Sequence, residues 1–160
     1  MKSIDHLLDL RGTYILALEV CEQISLQIKR LQWNISPRIY LYFGSAKGST
    51  ATSLENRLRR HFNSNKKKFW HIDYLTTHSS VILHRAYVNI NEQSTECQNL
   101  TIFAKNVEFE IVVRFGNSDC SEKCGGHLGF LPDNKNNISW LDDYFKYWKW
   151  SIISGFLEKV

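Results

Sequence analysis

Nine residues near the N-terminus, Gly12-Thr-Tyr-Ile-Leu-Ala-Leu-Glu-Val20, are rich in apolar and β-forming side chains behind a glycine and read as a strand. A strand needs partners, and the next segments offer them. Glu22 to Arg30 alternates polar residues with Ile24, Leu26 and Ile28, which predicts a second strand with one wet face. Pro37 ends an irregular stretch, and Arg38 to Phe43 supplies a third strand. It stops at Gly44-Ser-Ala-Lys-Gly-Ser-Thr50, whose small residues suit a tight turn into a helix.

Thr50 to Asn63 carries the clearest helical signal, with Leu54, Leu58 and Phe62 recurring every four residues as an apolar stripe. Arg57 and His61 then fall on neighbouring turns of one edge, with Arg60 beside them. Further along, the pattern predicts a short helix over Trp70 to His78 and a strand over Val81 to Val88. Thr95 to Lys105 reads as a helix behind the capping sequence Ser94-Thr95-Glu96. Alternation predicts a strand over Glu108 to Phe115, and a Cys- and Gly-rich loop, Gly116 to Gly126, leads into His127 to Leu131. After the polar break Asp133 to Asn137, the aromatic stretch Trp140 to Leu157 predicts one or two helices. Strands and helices mix without a βαβ rhythm, so the class is α+β. The expected architecture is a small, mostly antiparallel central sheet flanked by helices, with an extra aromatic-rich C-terminal helix. Residues 1–132 make one domain, and 133–160 a helical extension packed on it.

Composition bounds the alternatives. With 43% hydrophobic residues and only 2 prolines in 160, the chain has ample material for a core and is neither disordered nor collagen-like. Charges interrupt every hydrophobic stretch before the ~18 apolar residues of a membrane span. The opening MKSIDHLLDLRGTY carries acids and lacks a small-residue cleavage site, so the expectation is a soluble, cytoplasmic protein without a signal peptide. Net charge is only +4, but Arg57 to Lys68 alone holds six Lys and Arg and no acid. The remainder of the chain is therefore net negative, and the positive charge is concentrated. Four cysteines, Cys21, Cys97, Cys120 and Cys124, do not make a secreted disulfide framework; reduced thiols or metal ligands are expected.

The Gly44 to Thr50 turn is not a phosphate loop, because three residues separate its glycines and Lys47 precedes the second one. Instead Gly12-Thr13-Tyr14 on the first strand and Tyr42-Phe43-Gly44 on a later one, followed by a helix with Arg57 and His61 and by Glu96, resemble the GIY-YIG nuclease superfamily. Trp70-His71-Ile-Asp-Tyr-Leu75, Glu96-Cys97, Ser118-Asp119-Cys120 and His127-Leu128 are similar to one archaeal and bacterial branch, the GIY-YIG-like domain of unknown function 123, sometimes fused to a base-excision endonuclease. The likeness spans about residues 10 to 131.

That resemblance implies DNA binding and metal-dependent phosphodiester hydrolysis. It places Tyr14, Tyr42 and Arg57 in the active site, with His61 a further candidate, and Glu96 as ligand to one Mg²⁺ or Mn²⁺. Such a reaction needs water handled by a base and charge on the phosphoryl oxygens neutralised. A guanidinium suits the phosphate, whereas a phenol of ordinary pKa ~10 needs cations beside it to serve as base. Lys47, Arg60, Lys66, Lys67 and Lys68 would contact phosphates. DNA and another repair protein are the expected partners, with no small-molecule cofactor. Thr13 departs from the aliphatic residue usual in the first motif, and Asn117 is the counterpart considered for a late polar Asn.

Each residue also has a plainer reading. The tyrosines suit a core, Lys66 to Lys68 a solvated loop, and Glu96 a helix N-terminus. His71 and Asp73 could form a buried pair orienting the loop. Cys120-x3-Cys124-x2-His127 offers three zinc ligands and needs a fourth from Cys97 or His71; otherwise it is two buried thiols and a hydrogen-bonded histidine. The competing functions are a non-catalytic nucleic-acid-binding or protein-interaction module, and a zinc-stabilised scaffold.

Overall fold

The computed structural model describes residues 1–133, 135 and 137–154. The chain runs β1 (Gly12–Val20), β2 (Ile24–Ile28), β3 (Leu31–Ile35), β4 (Arg38–Ala46), α1 (Leu54–Phe62), α2 (His71–Thr76), β5 (Val81–Asn89) and α3 (Glu96–Asn106). It continues through β6 (Glu110–Ile111), β7 (Leu128–Phe130), α4 (Ser139–Tyr147) and β8 (Ser151–Ile153). Six strands form one sheet in the order β6-β7-β4-β1-β5-β8, and every neighbouring pair is antiparallel. β2 and β3 make a separate hairpin. The α+β class and the antiparallel sheet are as the sequence predicts.

β1 lies at the centre, paired with β4 on one side and β5 on the other. Eight of its nine residues are buried, which is why its sequence shows no polar alternation: both faces of the sheet are covered. Tyr14, Leu16 and Leu18 point to a cluster containing Leu54 and Leu58 of α1 and Ile72 and Leu75 of α2, with the β2–β3 hairpin alongside. Ile15 and Ala17 point the other way, onto Leu100 and Phe103 of α3 and Leu141 and Phe145 of α4. The strand period of two thus assigns each β1 residue to one of two cores.

Local boundaries differ from the sequence reading for identifiable reasons. The helix expected from Thr50 starts at Leu54, because Ser53 caps it by accepting the Asn56 N–H, and Thr50 to Thr52 forms a separate 3₁₀ turn. The stretch read as irregular before Pro37 is β3, which returns β2 across a turn with Lys29 in the left-handed region. Of the strand expected over Glu108 to Phe115, only Glu110 and Ile111 form the regular strand β6. Val112 and Arg114 still donate to the Leu128 and Gly125 carbonyls, but Arg114 takes a left-handed φ of 65° and the ladder becomes irregular. The C-terminal segment is helix then strand. α4 ends at Tyr147, Lys149 takes a left-handed φ, and β8 adds to the edge of β5. The part of that reading on 155–160 lies outside the described residues.

α4 is fixed to the sheet by Asp142, which accepts the Tyr87 hydroxyl at 2.8 Å and pairs with Arg85. Phe145 stacks on Tyr87 at 4.2 Å between ring centres. Phe103 joins this layer to the sheet through Phe43, Tyr144 and Phe145. No helix among the described residues is long and apolar enough to cross a membrane. Phe103→Ala should therefore cost about 3–5 kcal/mol. Chemical denaturation is expected to show a lower midpoint at unchanged slope, and an unchanged midpoint would contradict this packing.

Candidate functional site

The β1–β4 register sets Tyr14 opposite Gly44 and Tyr42 opposite Leu16, so both phenols project toward α1. Gly44 is a spatial requirement: a Cβ there would lie 2.4 Å from the Tyr14 Cζ and 2.5 Å from its hydroxyl oxygen. On the helix, Leu54 and Leu58 are fully buried against the sheet, which turns Arg57 and His61 toward the tyrosines. The Tyr14 hydroxyl and His61 Nε2 share a hydrogen bond of 2.8 Å, and His61 is only 1% exposed. Its other ring nitrogen, Nδ1, is buried without a partner. The Tyr42 ring stands edge-on to His61 at 6.5 Å, and it packs so close to Gly116 that a Cβ there would lie 3.0 Å from its Cε2.

Burial dominates the ionisation of these groups. It pushes Tyr14 up to about 12, opposed by the Arg57 guanidinium, which is close enough to donate to the phenol, and reinforced by the charges of Glu96 and Asp73. Tyr42 is raised further by burial, with Tyr14 and Glu96 adding to it. His61 is lowered to about 3, by burial first and then by Lys66. At neutral pH the site therefore presents two phenols and an uncharged imidazole.

Glu96, the first residue of α3, is half-buried, and its charge opposes ionisation of both Tyr14 and Tyr42. Thr13 explains how it comes to this end of the sheet. Its hydroxyl, fully buried on the α3 side, accepts from Asn99 Nδ2 at 2.9 Å and lies 3.2 Å from Ser94 Oγ. Thr95 and Gln98 close a capping box over the same turn. The polar residue that departs from the motif thus anchors the helix carrying Glu96. The charges of Arg57 and Glu96 both act on Tyr14 and Tyr42, and that of Arg57 acts on His61.

The basic residues divide. Asp73, fully buried, accepts the N–H groups of Phe69 and Trp70, pairs with Arg60 Nη2 at 2.6 Å and lies 3.1 Å from Lys66 Nζ. Burial alone would raise its carboxyl; the two N–H groups and the two cations outweigh that and hold it below the usual range. Lys66 keeps only 3% of its side chain exposed, and also reaches the Arg60 and His61 carbonyls. Arg60 and Lys66 therefore stabilise the 63–73 loop from within. Lys47 is exposed but donates to the carbonyls of Glu92 and Ser94. Lys67 and Lys68 remain open, Lys68 over the Tyr74 ring.

Two features went unread in the sequence. Trp70 forms a shelf beneath two guanidiniums, Arg57 at 4.8 Å and Arg60 at 4.9 Å from ring centres. Arg57 Nε is buried there with no partner. Asp73 is the anchor of the basic loop and is not paired with His71, which instead accepts the Gly116 N–H at 2.9 Å. Asn117 follows directly on Gly116.

Beside Glu96, the ligand atoms of Cys97, Cys120, Cys124 and His127 all lie within 4.8 Å of one another, a group that could hold a metal ion. Of the two residues the sequence offered as a fourth ligand, Cys97 lies in this group and His71 does not. Cys97 and Cys124 are joined as a disulfide, where the cysteine count predicted thiols or ligands. A separate groove of about 470 Å³ between α3 and α4, bordered by Gln98, Asn99, Tyr144 and Trp148, contains none of the predicted site residues.

Fold and site together define an α+β domain with a polar, aromatic cluster at one end of a fully covered antiparallel sheet. A family model described as Domain of unknown function DUF123 matches residues 13–149, and the chain belongs to that family. The match includes α4, beyond the stretch whose motifs carried the resemblance. Comparison with curated proteins and with solved structures finds no match.

The His61 environment predicts a pH signature. A histidine lowered to about 3 when folded takes up its proton more readily unfolded, near 6.5. Its contribution to stability is whole above that value and is lost as pH falls toward about 3. The unfolding free energy should fall across this window, and less steeply in His61→Phe. Equal slopes in both proteins would contradict the burial.

Proposed function

We propose that the chain is a GIY-YIG-type endonuclease that hydrolyses DNA phosphodiesters with one Mg²⁺ or Mn²⁺. The observation that supports this is the Tyr14–His61 hydrogen bond with the Tyr42 ring edge-on to the same imidazole, the Arg57 guanidinium close enough to donate to Tyr14, and the Glu96 charge acting on both phenols.

Each side chain suits a part of the reaction. Arg57, held on Trp70 with an uncommitted Nε, offers a guanidinium to a phosphoryl oxygen. Tyr14, raised to about 12, does not serve as a base by ionising alone. Neutral His61, 2.8 Å away, fixes the Tyr14 hydroxyl by a hydrogen bond and so orients it toward an attacking water, while the Arg57 charge favours the phenolate. Tyr42 stays protonated and can donate a hydrogen bond to a phosphoryl oxygen. Glu96 suits a hard divalent cation, which supplies neutralisation of phosphate charge and a lowered pKa for bound water. Lys67 and Lys68, with Lys47 if it leaves its carbonyl partners, form the surface for flanking phosphates, and Arg60 and Lys66 set the shape of that loop. A further repair protein is the protein partner this reading favours.

Plasmid and branched DNA incubated with Mg²⁺ or Mn²⁺ test the reading. Wild type should cut, and Tyr14→Phe, Arg57→Ala and Glu96→Ala should each lose about 10²-fold or more while still binding DNA. Intact DNA with wild type, yet a mobility shift, would favour a binding module instead. Removing the charges of Lys67 and Lys68 should reduce the salt slope of binding by about two units, one per lost phosphate contact.

A further inference from the structure

We propose that Cys97, Cys120, Cys124 and His127 form a structural zinc site that ties the loop 116–127 to the first turn of α3. A tetrahedral zinc with Zn–S of about 2.3 Å and Zn–N of about 2.0–2.1 Å has S···S edges of about 3.8 Å and S···N edges of about 3.5 Å. Cys120 and Cys124 stand 3.8 Å apart, and Cys97 Sγ lies 3.4 Å from His127 Nε2. Cys120 is 3.0 Å from Cys97, closer than the tetrahedral edge, and the four ligand atoms all lie within 4.8 Å of one another. A disulfide between Cys97 and Cys124 accounts for two of these residues and leaves the convergence of Cys120 and His127 without a cause. One metal ion accounts for all four.

The surroundings fit the same ion. The Glu122 N–H points at Cys120 Sγ at 3.4 Å, which favours a thiolate. The His127 backbone is held between β4 and Phe115, donating to the Phe115 carbonyl and accepting the Phe43 N–H, each at 2.8 Å. His127 also bonds to the Gly116 backbone, which orients its ring. Gly125, with φ 89°, and the tight approach of Gly126 to the Val112 carbonyl let the loop double back between Cys124 and His127. Three thiolates and an imidazole select a soft or borderline cation, whereas Glu96 selects a hard one, so the two metals would not compete.

Loading requires the thiol form. A dithiol reductant gives two electrons and two protons to the Cys97–Cys124 bond, and zinc then displaces the thiol protons to solvent as it binds the thiolates. Because Cys97 directly follows Glu96, the ion would also fix the residue to which the nuclease reading assigns a catalytic metal. That consequence rests on the nuclease reading; the zinc site does not.

The full chain, purified with a dithiol and without chelator, should carry about one zinc per molecule by elemental analysis. Replacing zinc with Co²⁺ should produce thiolate-to-cobalt charge-transfer absorption and tetrahedral ligand-field bands. Cys120→Ser should weaken both, whereas Cys21→Ser, at the exposed cysteine outside the cluster, should leave them intact. Folded wild type that holds less than about a tenth of an equivalent of zinc when metal is supplied, or Co²⁺ that gives no thiolate bands, would overturn the proposal. These readouts on the wild type stand even if a variant fails to fold, and none depends on DNA cleavage.

Discussion

The contact on which the rest depends is the one between a tyrosine ring and a residue that has no side chain. Tyr14 crosses to β4 at Gly44, and only because nothing projects there can its hydroxyl continue to His61. That link joins the central strand to α1. It orients the helix edge that carries Arg57 and sets the depth at which both phenols lose contact with water. Antiparallel register then places Tyr42 on the same face, so two short motifs separated by nearly thirty residues become one wall.

Opposite faces of β1 contribute different things to that end of the sheet. Tyr14 faces α1, while its neighbour Thr13 faces α3 and bonds to Asn99. One strand thereby positions two helices, and with them the arginine and the glutamate. Asp73 plays a comparable part in the basic loop. By gathering Arg60, Lys66 and two backbone N–H groups, it turns what would be a repulsive run of cations into an ordered ledge beside Trp70. The charge left outward is smaller than the sequence count suggests, and lies on Lys67 and Lys68.

Much of this was legible from pattern. The apolar run of β1, the four-residue spacing of Leu54 and Leu58 and the capping sequence at Thr95 each encode their element locally, so their positions were readable. Convergence was less so. Nothing in the spacing of Asp73 reveals that it faces Arg60 rather than its near neighbour His71, because that depends on how the loop folds over α2. The same holds for Cys97: its distance from Cys120 in sequence hides a shared corner created by α3 and the β7 approach. β3 and β8 were missed because they are short, flanked by polar or aromatic residues, and defined by pairing rather than by composition. Thr13 looked like a mild exception to a motif until its partners on α3 became visible.

The central claim is spatial: a hard divalent cation held by Glu96 would sit beside both phenols and Arg57. Paramagnetic broadening by substoichiometric Mn²⁺ reads that proximity without requiring turnover. In the zinc-loaded, isotope-labelled protein, the side-chain resonances of Tyr14, Tyr42 and Arg57 should broaden first, and Glu96→Gln should abolish the effect. Broadening confined to another surface, or none at Tyr14 and Tyr42 under Mn²⁺, would contradict the account.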